Sequence, residues 1–308
     1  MLSYLLKRFG QMLIVLAIVT VIAFSLVRLA PGNPARMLLP DTATDEQVHQ
    51  MEIYLGLDKP LPVQFAKYVS GLFKGDLGTS FVYNRPCIDV IGDHMPYTAK
   101  LAVGTVVFGA MLCIPLGIIA GANRGKPADF FAMFFALLGQ SMSAVWLAVL
   151  LIFIFAVRLG WLPALGADSW QCYVMPIATM GYGTAAEITR VGRSGMIDTL
   201  GEDFITATYA KGVKKSVVNW KYAFRNAMSP VVTLICMSLA GSLAGAVVVE
   251  VVFGIPGVGQ MMVQAVGNRD YALVQAMMLI SACIFTFVNF LIDIINSLID
   301  PRLRLIDS

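Results

Sequence analysis

The chain has 308 residues, of which 58% are hydrophobic and only 13% charged, with a formal net charge of +3. A soluble domain carries roughly a quarter of its residues as charges. Here the charge is missing from runs of about twenty residues, the length of helix that crosses a hydrocarbon core about 30 Å thick. Composition thus excludes a soluble globular protein, and the small net charge argues against a nucleic-acid partner.

Lys7 and Arg8 lead into the first apolar run, residues 9–29. It begins like a signal peptide, but it is too long for one and shows no small-residue cleavage site, so it reads as a retained anchor. Residues 30–96 are polar, with turn signals at Pro31-Gly32-Asn33-Pro34 and Gly75-Asp76-Leu77-Gly78. A short amphipathic helix is predicted over 44–55, with Asp45 and Glu46 suited to its first turn. Two charge-free runs follow, 101–122 and 130–157. The second is longer than a span requires, so it must tilt or break near Gly139 and Ser141.

The run at 173–186 is short, and Pro176, Gly181 and Gly183 interrupt it. Charge asymmetry decides its status. Seven basic residues lie between Arg190 and Arg225, and short basic loops stay in the cytoplasm. Lys7 and Arg8 place the N-terminus there as well, so an even number of spans must separate the two regions. That requirement sends 173–186 across the membrane. The loop holding Arg124 and Lys126 and the tail holding Arg302 and Arg304 fall on the same side. Runs at 231–252 and 271–299 complete six predicted spans, with both termini cytoplasmic. The organisation is an N-terminal span over 1–29, an extracytoplasmic segment over 30–96, and a five-helix core over 97–299. The core holds a cytoplasmic loop at 190–228, and a tail covers 300–308.

Catalytic residues are not evident. His49 and His94 both lie in the polar segment, whereas an intramembrane protease needs its base or ligands within the spans. Gly192-Arg193-Ser194-Gly195 reads as a flexible basic loop. Gly254-Ile255-Pro256-Gly257-Val258-Gly259 follows a span and not a strand, which argues against a phosphate cradle. With no complete phosphate-loop motif, any ATP belongs to another chain. The five cysteines lack metal-type spacing and read as packing residues; pairing of Cys87 with Cys172 is left open. Glu187, Glu250 and Asp293 are the charged groups within spans, each near a span end. Glu250 is a candidate pathway or gate residue, with a structural role at the outer boundary as the alternative. Without a chain of carboxylates, proton coupling lacks support. Gly117-x-x-x-Gly121 and Gly241-x-x-x-Gly245 allow close approach to a neighbouring helix or a partner subunit.

The cytoplasmic loop is the most informative stretch. Glu202 and Asp203 precede a predicted helix over 204–211, and Gly212 follows in a predicted left-handed turn where a side chain would meet the backbone. A second helix is predicted over 216–228, ended by Pro230, with Val217, Trp220 and Phe224 on one face. The pair makes either a docking knob or a hairpin lying in the lipid interface.

At this loop the sequence resembles the membrane subunits of ABC importers, whose signature loop has the form E-A-A-x-x-x-G. The corresponding residues are Thr206-Ala207-Thr208 and Gly212, so the Glu and second Ala are replaced. The dipeptide/oligopeptide/nickel branch matches better: Glu202-Asp203-Phe204, Thr206-Ala207-Thr208-Tyr209-Ala210-Lys211-Gly212 and Ala223-Phe224-Arg225-Asn226-Ala227-Met228-Ser229-Pro230 all follow its pattern. Leu55-Gly56-Leu57-Asp58-Lys59-Pro60-Leu61, Gly160-Trp161-Leu162-Pro163, Val248-Val249-Glu250, Arg269-Asp270-Tyr271 and Asp300-Pro301-Arg302 extend the likeness over nearly the whole chain.

The resemblance implies an all-α integral membrane protein with six transmembrane helices and the type I ABC importer permease fold, in the cell inner membrane. It implies a related second permease, two cytoplasmic ATPase subunits that bind ATP and magnesium, and an extracytoplasmic solute-binding protein. Glu202, Asp203, Thr206, Ala207, Ala210, Lys211, Gly212, Arg225 and Asn226 would form the ATPase-coupling surface. The implied cargo is a di- or oligopeptide, with a glutathione-like compound or a nickel or metal chelate as alternatives. This chain would perform no covalent chemistry. A secondary transporter and a membrane-embedded enzyme are the competing classes.

Overall fold

The computed structural model describes residues 2–29, 34–37, 39, 43–55 and 58–299, and its regular structure is helical apart from one pair of two-residue strands. Pro31-Gly32-Asn33, Gly56-Leu57 and the tail from Asp300, with Pro301, Arg302 and Arg304, lie outside the described residues.

Helix α1 (Leu2–Leu29) packs along α14 (Tyr271–Ile299). Arg8 Nε stands 3.4 Å from Asp293 Oδ2, and Phe9 meets Phe290 edge-on. The polar segment holds α2 (Pro34–Met37), α3 (Asp45–Leu55) and α4 (Leu61–Phe73). Thr44 and Gln47 close a reciprocal cap at the start of α3: the Thr44 N–H donates to Gln47 Oε1 at 2.9 Å, and the Gln47 N–H donates to Thr44 Oγ1 at 3.4 Å. The turn at 75–78 forms as expected, with Asp76 Oδ1 accepting the Gly78 N–H at 2.9 Å. Strands β1 (Thr79–Ser80) and β2 (Arg85–Pro86) pair antiparallel. Asp270 pins this hairpin to the start of α14, accepting hydrogen bonds from Ser80 Oγ (2.5 Å) and the Val82 N–H (3.2 Å).

Helix α5 (Cys87–Ala122) starts well before the apolar run, so the boundary drawn at residue 96 falls inside a helix that carries Pro96 and Pro115 in its interior. Helix α6 (Pro127–Ser141) and α7 (Ala144–Leu151), which continues in π-helical turns to Arg158, meet at a 102° bend. The break at Met142 and Ser143 lies beside the position predicted. Helix α8 (Gln171–Leu200) corrects two expectations. It takes Pro176, Gly181 and Gly183 into its interior, and Gly192-Arg193-Ser194-Gly195 is helical, not a flexible loop.

Helices α9 (Asp203–Ala210) and α10 (Lys215–Val217) follow; π-helical turns over Val218–Ala223 then lead into α11 (Phe224–Gly245). Pro230 does not end this helix, although it deprives the Asn226 carbonyl of its helical donor. The π turns also shift the inward face. Val218, Ala223 and Ala227 are buried, while Val217 and Trp220 are exposed and Phe224 packs at the rim. The run at 231–252 is broken at Ala246. Helix α12 (Val247–Phe253) is separate, and it meets α13 (Val258–Gly267) at 86°.

Among the described residues, four helices are long and apolar enough to cross a membrane: α1, α5, Lys215–Leu243 and α14. Counting each bent pair as one span raises the number to six. Helix α8, about 45 Å long at 1.5 Å per residue, falls short on hydropathy and packs between α5, α6 and α11. Its contact with α5 is built on small residues. A Cβ on Gly117 would lie 3.4 Å from Thr189 O and 3.5 Å from Gly192 Cα, and one on Gly121 would run into Met196. The Gly117 and Gly121 pair therefore serves a contact within this chain. Gly241 has open space around it. All five cysteines are free thiols, Cys87 and Cys172 included.

Candidate functional site

Helix α9 is local in origin. Glu202 precedes it in extended conformation, and its carbonyl accepts the Ile205 N–H at 3.1 Å. Asp203 places a negative charge on the first turn. At the other end the Lys211 N–H returns to Ala207 O and the Gly212 N–H to Tyr209 O at 2.9 Å. Gly212 has φ +78°, the left-handed conformation expected of it. No neighbouring atom lies within 4 Å of a Cβ built there. The cost of a side chain is thus in the backbone conformation alone, and the expected clash is absent.

Ile205 is the buried side chain of α9. It is fully buried in a cluster with Ile118, Met196, Val218, Ala223 and Ala227, which come from the ends of α5 and α8, the π-helical turns and the start of α11. Half-buried Val213 packs on the same cluster. Glu202, Asp203, Thr206, Ala207, Ala210, Lys211, Gly212, Arg225 and Asn226 are all exposed at this end of the bundle. The sequence-selected residues are thus exposed on α9, the turn at Gly212 and the start of α11, with Ile205 anchoring α9. Beside it Arg193 clamps Asp129 with two hydrogen bonds, Nε to Oδ1 at 2.6 Å and Nη2 to Oδ2 at 2.8 Å. The Gly125 N–H also donates to Oδ2, at 3.0 Å. This ion pair ties the first turn of α6 to α8. Sequence reasoning missed it, because nothing local links residues 64 positions apart.

Glu250 lies at the other end of the bundle and is fully buried. Its Oε2 accepts the Gln260 N–H at 2.9 Å, in the first turn of α13. The N-terminal dipole and free N–H groups of a helix favour an anion at that position. The glycine-rich stretch supplies the room, since a Cβ on Gly257 would overlap the Glu250 carboxyl and one on Gly259 would lie 2.9 Å from Oε2. Those glycines cradle a carboxylate of the chain itself. Near the same end, α5 and the start of α8 flank a cavity of about 640 Å³, lined among others by Lys100, Asp168, Trp170 and Tyr173.

The family described as "Binding-protein-dependent transport system inner membrane component" matches residues 113–305, and the N-terminal part of such components matches residues 1–102. The glutathione transport system permease protein GsiC of Salmonella paratyphi A (strain ATCC 9150 / SARB42) is 38% identical over 304 residues, covering 99% of each chain. GsiC of Escherichia coli (strain K12) matches at the same identity and coverage. Among solved structures, a chain of the MetNI methionine ABC transporter in an inward-facing form aligns with TM-score 0.55 at 17% identity. That alignment covers 69% of this chain and 97% of the other. An amino acid ABC transporter gives TM-score 0.51 at 16% identity, over 70% and 94%. These two likenesses establish the fold.

Proposed function

The chain belongs to the binding-protein-dependent transport system inner membrane component family and is the non-catalytic membrane subunit of an ABC importer; from that premise we propose that it forms half of a passage for di- or oligopeptides or the tripeptide glutathione. The observation that carries the cargo is the 38% identity to GsiC over 99% of both chains. ATP hydrolysis and solute capture belong to partner subunits, as the family implies. The finer assembly is part of the same reading: a related second permease, two ATPases seated on the knob around Gly212, and a solute-binding protein at the opposite face. Both termini and the knob lie in the cytoplasm, which agrees with the basic residues clustered there.

The knob explains how work reaches the helices. Ile205 fastens α9 to α5, α8 and α11 together, so a push on the exposed surface is delivered to three long helices at once. A change of state needs contacts that differ between the two states, and an ATPase groove that closes around α9 supplies them. Reconstitution of the full transporter tests the cargo. Labelled dipeptide or glutathione should accumulate only with ATP and the binding protein. Accumulation without ATP, or none of either solute, would overturn the reading.

A further inference from the structure

Three carboxylates in the sequence fall within or directly at the end of predicted spans, and the tertiary structure sorts them. Asp293 meets Arg8 at 3.4 Å. Glu250 is buried and caps α13. Glu187 is exposed on α8, with no hydrogen bond or ion pair among the described residues. Arg190, one turn away, is exposed and unpaired in the same sense.

These two residues belong to a stripe. Gly183, Glu187, Arg190 and Ser194 are all exposed, and their spacing of four, three and four places them on one side of the helix. Between Gly183 and Ser194 every other residue of α8 is buried or half-buried, and α5, α6 and α11 are its main neighbours. Arg193, which clasps the first turn of α6, marks the level where that helix begins, and Glu187 lies about 9 Å further along the axis at 1.5 Å per residue. Ionisable groups at such depth face protein or water and not lipid. A tightly packed partner helix would have to bury two opposite charges that this chain leaves unpaired, beside a glycine with open space around it. Water solvates both without any counter-ion.

We propose that Gly183, Glu187, Arg190 and Ser194 form this chain's wall of the water-filled passage, with Glu187 contacting the ammonium group of a passing zwitterionic solute and Arg190 its carboxylate. The solute contacts rest on the peptide-like cargo argued above; the wall itself does not.

The test uses the assembled transporter in nanodiscs. Gly183→Cys, Glu187→Cys, Arg190→Cys and Ser194→Cys are treated with a charged, water-soluble methanethiosulfonate, and adducts are located by peptide mass spectrometry so that the native cysteines can stay. All four should react at least about tenfold faster than Leu137→Cys, an exposed apolar position on α6, because the reacting thiolate forms in water and not in lipid. Rates equal to the Leu137→Cys rate would overturn the wall. So would protection of all four in the assembly but not in the isolated chain, which would show that a partner helix covers them. For the solute contact, Glu187→Gln should lower Ala-Ala uptake about tenfold, the loss of one charge-assisted hydrogen bond, with assembly intact and partial recovery in Glu187→Asp. Wild-type uptake in Glu187→Gln would remove the contact. Failure of the wild-type transporter to take up Ala-Ala or glutathione would overturn the cargo and contact together, while the labelling still decides the wall.

Discussion

Thr98 and Glu250 form a buried relay that joins α5 to the start of α13. The Thr98 hydroxyl donates to Glu250 Oε1 at 2.7 Å and accepts the Val258 N–H at 2.8 Å. Both residues are fully buried. One hydroxyl thus satisfies a carboxylate and a helix N-terminus at once.

Thr98→Val keeps the shape and removes the relay. It should destabilise the protein by about 1–3 kcal/mol, because the carboxylate oxygen and the Val258 N–H lose a partner in a site closed to water. Thermal unfolding in detergent reads this directly. Thr98→Ser should stay near wild type, and an unchanged midpoint in Thr98→Val would remove the relay from the stability of the fold.

Gly257→Ala should be worse than its single methyl suggests, since that methyl would occupy the place of the Glu250 carboxyl. The carboxylate must then leave the α13 N-terminus, with a loss of membrane-level protein or a markedly lower melting point. Gly241→Ala is the matched control. With nothing within 4 Å of its Cβ, it should be neutral or gain up to about 1 kcal/mol from helix propensity.

The Asp129–Arg193 clamp should behave as a pair. Asp129 is only 8% exposed and Arg193 27%, so Arg193→Gln leaves a carboxylate poorly solvated and should cost roughly 1–3 kcal/mol, less than a fully buried pair. Asp129→Asn with Arg193→Gln together should cost less than the sum of the single changes. Additive costs in that cycle would show that the two residues do not act together.

At the knob, Ile205→Ala should cost about 2–5 kcal/mol of local packing and loosen α9 from the bundle. ATPase copurification should fall sharply, while Ile205→Val, which keeps most of the buried side chain, changes it little. Normal ATPase capture by Ile205→Ala would show that α9 needs no anchor.

Gly212→Val should insert normally and couple poorly. A β-branched residue at φ +78° costs on the order of 1–2 kcal/mol, small beside the membrane fold but enough to shift the knob. Gly212→Asn should retain most uptake, because Asn adopts left-handed backbone readily. A surface-lying hairpin predicts wild-type uptake in both.

What the sequence determined by itself are features whose cause lies within a turn or two of the chain. The acid-led helix before Gly212, the left-handed Gly212, the turn at Gly75 to Gly78 and the full extent of α14 all follow from caps, glycines and unbroken apolar runs. The family resemblance was also legible, since the order of short motifs is a property of the chain alone. Tertiary packing decided the rest. Helix α8 continues through four glycines, a proline and two arginines because three neighbouring helices bury its other faces, and hydropathy cannot register a helix that shows one polar stripe. Pro230 does not stop α11, because packing around Ala227 and Val231 outweighs one lost hydrogen bond. Glu187, Glu250 and Asp293 read alike as carboxylates in apolar runs. Only the fold gives Asp293 an arginine, Glu250 a helix terminus and Glu187 an open face, since each partner is chosen by contacts between residues far apart in sequence.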